Sequence, residues 1–324
     1  MSVTSVINTE DLVRLRRAGY AIVGEHAHSA VKPCTWTKNA LCGRGVCYKQ
    51  SFYGIESHRC LQMTPALPFC THSCLFCWRD TSITFPEWRG PVDEPKQIID
   101  ESVAAQKKLL VGFKGNENAD QKLVKESFQP NQAAISLAGE PTLYPLLGDL
   151  VKEFHARDFT TFIVTNGTNP AAIEALADAH ALPTQLYVSL CAPDEATYKK
   201  TNAPLVKDGW KKLNETLELF SSLKTRRVVR LTLCKNLNLK DAAGYARLIE
   251  KTGAEFVEPK SYMAVGFSRA RLGPDFMIPH EELMAFGREV ASETNYVLVG
   301  EQKASRVALL CRNEGVAANR LIKR

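Results

Sequence analysis

Cys70, Cys74 and Cys77 form a CxxxCxxC run (Cys70-Thr-His-Ser-Cys74-Leu-Phe-Cys77) that follows the apolar stretch PALPF and precedes Trp78. Three thiolates on one tight loop suit three irons of a 4Fe-4S cube and leave the fourth iron open to a substrate. Zinc in a closed structural site takes four ligands, commonly from two CxxC pairs, and fits an odd three-cysteine loop less well. Further along, the apolar run AAISLA leads directly into Gly139-Glu140-Pro141, which taken alone reads as a turn. Upstream, Cys34, Cys47 and Cys60 recur at equal separations, a spacing unlike that of zinc fingers. Lys49 stands two positions after Cys47. An amine kept out of water favours its neutral form, and a neutral lysine condenses with a ketone to a Schiff base. Lys260, at the end of a late apolar run, is a competing amine that could instead pair Glu258.

Other polar groups end apolar runs: Asn166 in Thr165-Asn166-Gly167, Ser189 after LYV, and Asn236 after LTLCK. Each suits a ribose or carboxylate contact and equally a turn or helix cap. Cys42 is either a spare ligand or an inert thiol acting as a small hydrophobe, and Cys191, Cys234 and Cys311 are expected to pack in or near a sheet. His72, inside the cysteine loop, and His26, His28 and His58, around the upstream triad, lack a ligand rhythm.

The elements that must position these groups are legible from Gln97 onward. Helices are expected over 95–112, 145–157, 170–180, 208–223, 241–252 and 280–294, and strands over 133–138, 160–165, 185–190, 226–233, 254–260 and about 305–311. Near-continuous apolar strands alternating with helices indicate a parallel sheet covered by helices. With a strand just before Cys70 there are about six βα units, fewer than the eight of a closed barrel. The fold class is therefore α/β, an incomplete (βα)6 TIM-like barrel with its chemistry at the carboxyl ends of the strands. A helix over 10–20 precedes a segment from His26 to about Pro68 that reads as irregular, and 114–130 reads as a polar insertion. The expected organisation is an N-terminal helix and cysteine-rich segment, 1–66, followed by the partial barrel, 67–324.

The chain has 324 residues, 45% of them hydrophobic and 23% charged, which excludes disordered and fibrous classes. No secretory signal or membrane-spanning run is visible, and ten cysteines in a reducing compartment point to metal, so the expected location is cytoplasmic. A formal charge of +6 permits a polyanionic partner.

CxxxCxxC at the end of a first barrel strand, with Gly139-Glu140-Pro141 one strand later, resembles the radical S-adenosylmethionine (SAM) superfamily. With Cys34, Cys47 and Cys60 added, the whole chain is similar to its wybutosine-synthesising branch, the archaeal tRNA 4-demethylwyosine synthases. That resemblance implies two 4Fe-4S clusters. One, on Cys70, Cys74 and Cys77, would chelate and cleave SAM, with Gly139, Glu140, Pro141, Asn166 and Ser189 at the cofactor. The other, on Cys34, Cys47 and Cys60, would hold pyruvate as co-substrate beside Lys49 as the Schiff-base amine. The implied reaction is that of a carbon–carbon lyase building 4-demethylwyosine from pyruvate and 1-methylguanosine at position 37 of tRNA(Phe). A separate electron donor, flavodoxin or ferredoxin-like, and a monomeric state go with it. Basic residues at Lys199-Lys200, Lys207, Lys211-Lys212, Arg226-Arg227, Arg269, Arg271, Arg320, Lys323 and Arg324 would then meet phosphates, and Trp36, Tyr48, Phe52 and Tyr53 an extruded base. A radical SAM modifier or activase that uses no pyruvate, and a zinc-stabilised RNA-binding protein, are the competing readings.

Overall fold

The computed structural model describes residues 5–323, in two compact units interleaved along the chain. The first contains the chain up to Cys70, Glu87–Ile163 and Asp178–Thr184; the second contains Thr71–Pro86, Val164–Ala177 and the chain from Gln185 onward. Residue 66 lies inside the first unit.

The strands of the first unit are β1 (Ala21–Val23), β2 (Ser29–Val31), β3 (Cys60–Thr64), β4 (Gln132–Ile135) and the start of β5 (Thr160–Thr165). β1, β2 and β3 pair antiparallel, with Ala21 opposite Val31 and Val31 opposite Met63, whereas β3, β4 and β5 run parallel, with Cys60 opposite Gln132 and Gln132 opposite Thr160. Leu61, Met63, Ala133, Ile135 and Ile163 have no exposed surface. Burying an aliphatic side chain of this size contributes about 1.5–3 kcal/mol. The helix Pro95–Leu110 opens with Pro at its first turn and buries Ile98, Ile99, Ser102, Gln106 and Leu110, an amphipathic repeat that covers one stripe.

In the second unit β6 (Gln185–Ser189), β7 (Arg226–Leu233) and β8 (Phe256–Ser261) run parallel, with Ser189 opposite Arg230 and Arg230 opposite Glu258. β9 (Val297–Gln302) and β10 (Val307–Cys311) complete the unit as antiparallel strands, β10 lying beside β8 with Leu310 opposite Val257. Cys191, Cys234 and Cys311 are buried, as expected.

The βα alternation is as expected, with three differences. First, each unit adds antiparallel strands to its parallel ones, β1 and β2 in the first and β9 and β10 in the second, where the strand expected over 305–311 was read as one more parallel member. Second, the segment from His26 to Pro68 is not irregular, since it contains β2, β3 and the helices Thr35–Leu41 and Tyr48–Tyr53. The strand expected just before Cys70 is β3, which begins at Cys60. Third, the polar insertion 114–130 contains a helix, Gln121–Ser127, whose first turn is capped by Asp120 and whose Val124 packs with Leu41, Leu110 and Ala119. Cys42 lies partly buried against the same apolar cluster, with Asn116 Nδ2 3.8 Å from its sulfur. A helix Glu195–Asn202, capped by Asp194, was also not anticipated. Arg324 lies outside the described residues. Among those described, no helix is long and apolar enough to cross a membrane.

Candidate functional site

Cys70 is buried, and Cys74 and Cys77 are partly exposed. In the second unit the loop from Thr71 is tied down through its backbone. Ser73 N donates to Ala203 O at 3.0 Å, Leu75 N to Thr201 O at 3.0 Å, Leu205 N to Thr71 O at 2.8 Å, and Cys77 N to Cys74 O at 3.1 Å. His72 points away from any metal role: its Nε2 hydrogen-bonds the Tyr198 hydroxyl at 2.6 Å, and burial, followed by the charge of Arg79, pushes its pKa down to about 3. It is a buried neutral ring, in keeping with its expected part as a bystander. Arg79 is itself buried and donates to the carbonyls of His72, at 3.2 Å, and Ile83, at 3.3 Å. Three thiols on one anchored loop are a donor set that fits a 4Fe-4S cluster with one open iron.

In the first unit, Gly139-Glu140-Pro141 follows β4 and is clamped to the residues leading into Cys70. Glu140 N donates to Phe69 O at 2.7 Å, and Thr64 Oγ1 to Ala138 O at 2.6 Å. Gly139 has φ +69°, and a Cβ there would fall 1.8 Å from Ala66 O and 2.7 Å from Phe69 O. Only glycine meets both the left-handed backbone and the close approach. The Glu140 carboxylate turns onto its own turn, accepting from Thr142 N at 3.1 Å and Thr142 Oγ1 at 2.7 Å.

The upstream triad is also in the first unit. Cys34 and Cys47 each occupy the position before a helix, Thr35–Leu41 and Tyr48–Tyr53, and Cys60 opens β3. Cys47 N donates to Ser57 Oγ at 2.9 Å and Ser57 N to Gln50 Oε1 at 2.9 Å, folding the second helix back toward Cys60. Burial, then the neighbouring Cys47 and Cys34, push the Cys60 thiol well above its usual range, and the Lys49 charge pulls it back. Cys34, Cys47 and Lys49 thus lie near enough to Cys60 to act on its thiol, although they come from three separate elements. Three cysteine sulfurs gathered in this way are a donor set that fits a 4Fe-4S cluster. Lys49 is 9% exposed, with Nζ 5.0 Å from the Phe162 ring centroid.

Asn166 and Ser189 belong to the second unit. Asn166 Nδ2 donates to Thr71 Oγ1 at 2.8 Å and its Oδ1 accepts from Thr168 N at 3.0 Å, so it braces the residue after Cys70. Ser189 ends β6 opposite Arg230. Buried Glu258 pairs Arg230 at 3.3 Å, and Lys260 Nζ donates to Ser305 O at 2.6 Å. Asn236 is an exposed turn residue with φ 60°, and the buried polar contact near it comes from Asn238, whose Oδ1 accepts from Cys234 N at 2.6 Å.

Two groups of expected RNA contacts are differently employed. Tyr48, Phe52 and Tyr53 are buried and stack edge to face among themselves and with Phe162, because the Tyr48–Tyr53 helix turns them into the core. Arg227 is buried against Glu255, and Arg226 spans Gln185 and the Arg320 carbonyl. Arg271, expected at a phosphate, instead braces the cysteine loop, and Thr71, Thr168 and Tyr198, which also brace it, were missed in the sequence. Their partners lie up to 196 residues away, so no local pattern marks them.

The radical SAM superfamily profile matches residues 64–249, and that of wyosine base formation matches 251–312. The chain is 50% identical to the S-adenosyl-L-methionine-dependent tRNA 4-demethylwyosine synthase of Pyrococcus abyssi over 92% of its own length and 87% of the relative's. The protein of that name from Methanocaldococcus jannaschii is 38% identical over 94% of this chain and 96% of its own. Among solved structures, "Structure of TYW1 with a lysine-pyruvate adduct bound" superposes with a TM-score of 0.84 at 36% identity, covering 98% of each chain. The chain has the α/β fold of the radical SAM enzymes and belongs to that superfamily's tRNA 4-demethylwyosine synthase family.

Proposed function

We propose that this chain is a radical SAM enzyme that joins pyruvate to 1-methylguanosine at position 37 of tRNA(Phe) and closes the 4-demethylwyosine ring. Membership of the superfamily carries with it SAM and a 4Fe-4S cluster, which Cys70, Cys74 and Cys77 would hold. When bound, that cluster supplies the electron that cleaves SAM, and the backbone of Gly139-Glu140-Pro141 with Asn166 and Ser189 orients the cofactor. The cysteine-rich segment 1–66 would hold a second 4Fe-4S cluster on Cys34, Cys47 and Cys60, where pyruvate is received.

Lys49 does the covalent work. Its Nζ, once unprotonated, attacks the pyruvate ketone carbon, and the ketone oxygen departs as water to leave an imine. Burial against the Phe162 ring excludes water from that amine and fixes its direction of approach. The methyl carbon of 1-methylguanosine, having given up a hydrogen atom to the 5′-deoxyadenosyl fragment of SAM, would bond to C2 of pyruvate, and the C1–C2 bond would break with the carboxyl carbon leaving as a one-carbon acid or CO2. A separate flavodoxin or ferredoxin-like donor supplies electrons, and the enzyme works as a monomer in the cytoplasm.

The observation that carries this reading is the gathering of Cys34, Cys47 and Lys49 around Cys60, close enough for each to act on its thiol, with Lys49 buried against the Phe162 ring. A superfamily member that used no pyruvate would not need Lys49 in that grouping. The test is anaerobic reaction of 1-methylguanosine-containing tRNA(Phe), SAM, reductant and pyruvate. Formation of the tricyclic base only when pyruvate is present supports the assignment, and ring formation without pyruvate, or none at all alongside active SAM cleavage, rejects it.

A further inference from the structure

We propose that Arg271 is a positioning residue for the iron-sulfur cluster assigned to Cys70, Cys74 and Cys77, holding the loop at Cys77 and making that cluster easier to reduce. The inference rests on that cluster assignment and adds to it a residue from outside the cysteine loop.

The Arg271 guanidinium donates to the carbonyls of Leu75, at 3.2 Å, Arg79, at 3.4 Å, and Cys77, and to Thr81 Oγ1, at 3.2 Å. A planar fork with five donors can serve several acceptors at once, which the three donors of a lysine ammonium cannot match in geometry. Arg271 is in turn fixed from behind. Tyr262 Oη donates to Leu272 O at 2.6 Å and lies 3.1 Å from Ser268 Oγ, and Leu272 N donates to Ser268 O at 2.8 Å. Tyr262 and Leu272 also pack with Leu75 and Phe76 in one apolar cluster. Gly266 completes the fit: Phe267 N donates to Trp78 O at 3.0 Å, and a Cβ on Gly266 would lie 2.4 Å from that oxygen.

The cation is thus held by a rigid segment, 262–272, directly over the backbone of a cluster ligand. This segment lies within the region matching wyosine base formation, whereas the loop lies in the radical SAM region. A three-thiolate cluster becomes more negative on reduction, so a fixed positive charge beside it stabilises the reduced form. The same guanidinium absorbs three carbonyl dipoles whose negative ends would otherwise oppose that electron.

The test is an EPR-monitored redox titration of the reconstituted full chain as wild type, Arg271→Gln and Arg271→Lys, following the signal that changes on adding SAM. Iron content and the thermal midpoint are measured alongside. At one fixed potential, Arg271→Gln is expected to lower the ratio of reduced to oxidised cluster about tenfold, which for a one-electron couple is about 59 mV. Arg271→Lys keeps the charge and should recover much of that ratio while losing iron faster than wild type on exposure to a chelator. An Arg271→Gln protein that titrates like wild type overturns the proposal, as do Gln and Lys variants displaced equally. A wild type with no SAM-sensitive iron-sulfur signal would instead reject the cluster assignment on which the inference rests.

Discussion

Gly139 packs against Ala66 so closely that a Cβ on it would lie 1.8 Å from the Ala66 carbonyl oxygen. The turn after β4 and the approach to Cys70 are locked together at this point, joined by the 2.7 Å bond from Glu140 N to Phe69 O. Replacing Gly139 by Ala must move one segment off the other. The variant is expected to lose about 3 kcal/mol of stability and to cleave SAM at least about tenfold more slowly. Thermal unfolding and 5′-deoxyadenosine release measure both, and an unchanged thermal midpoint with unchanged cleavage would show that the contact does not constrain the motif.

Lys49 and Lys260 make opposite predictions. If Lys49 is the Schiff-base amine, Lys49→Ala loses ring formation by at least about a hundredfold while SAM cleavage stays within about threefold. Borohydride reduction in the presence of pyruvate should trap an adduct on wild type and Lys260→Ala but not on Lys49→Ala. Trapping in the Lys49 variant and its absence in the Lys260 variant would reverse the assignment.

Glu258 and Lys260 of the second unit hold different partners, Arg230 and the Ser305 carbonyl. Glu258 has no exposed surface and pairs Arg230, whose cation lies 4.8 Å from the Tyr187 ring centroid. Glu258→Gln leaves that cation without its counter-charge and should cost about 1–3 kcal/mol, while Lys260→Met, which removes a bond to the Ser305 carbonyl, should cost about 1 kcal/mol. Denaturant midpoints of the two variants decide it, and equal losses would mean that Glu258 draws no stability from Arg230.

Acid should weaken the first unit through His28. This buried ring has Nδ1 2.7 Å from Pro65 O, and Nε2 2.9 Å from the Asp93 amide nitrogen and 3.0 Å from the Asp93 carboxylate. Burial lowers its pKa, and the opposing charge of Asp93 only partly offsets this. The unfolded chain therefore binds the proton first. Stability is fully present above the unfolded value of about 6.5 and falls with decreasing pH below it, by up to about 1.4 kcal/mol per pH unit. Unfolding measured between pH 5 and 8 should show this slope, and His28→Gln should flatten it; a slope that survives the substitution would assign the acid sensitivity elsewhere.

The legible parts of this molecule are those written in local spacing. Cys70, Cys74 and Cys77 declare a three-point metal loop, and runs such as TTFIVT and QLYVSL declare buried parallel strands. β2 was not legible because three residues carry no period, nor was β9, whose residues are mostly half-buried. Tyr48, Phe52 and Tyr53 are buried, but nothing local says that the Tyr48–Tyr53 helix turns them inward. Arg271 looks like any other surface cation in the sequence, and its employment on the cysteine loop exists only in three dimensions.

The central claim is that two cysteine triads hold two clusters, and the most direct measurement is iron and acid-labile sulfide per chain after anaerobic reconstitution. Wild type and a Cys34→Ala, Cys47→Ala, Cys60→Ala triple variant are compared. About eight irons falling to about four in the variant, with SAM cleavage retained, is the predicted result. About four irons in both proteins would contradict it, and the pyruvate site would then have to be built on a lysine without a metal.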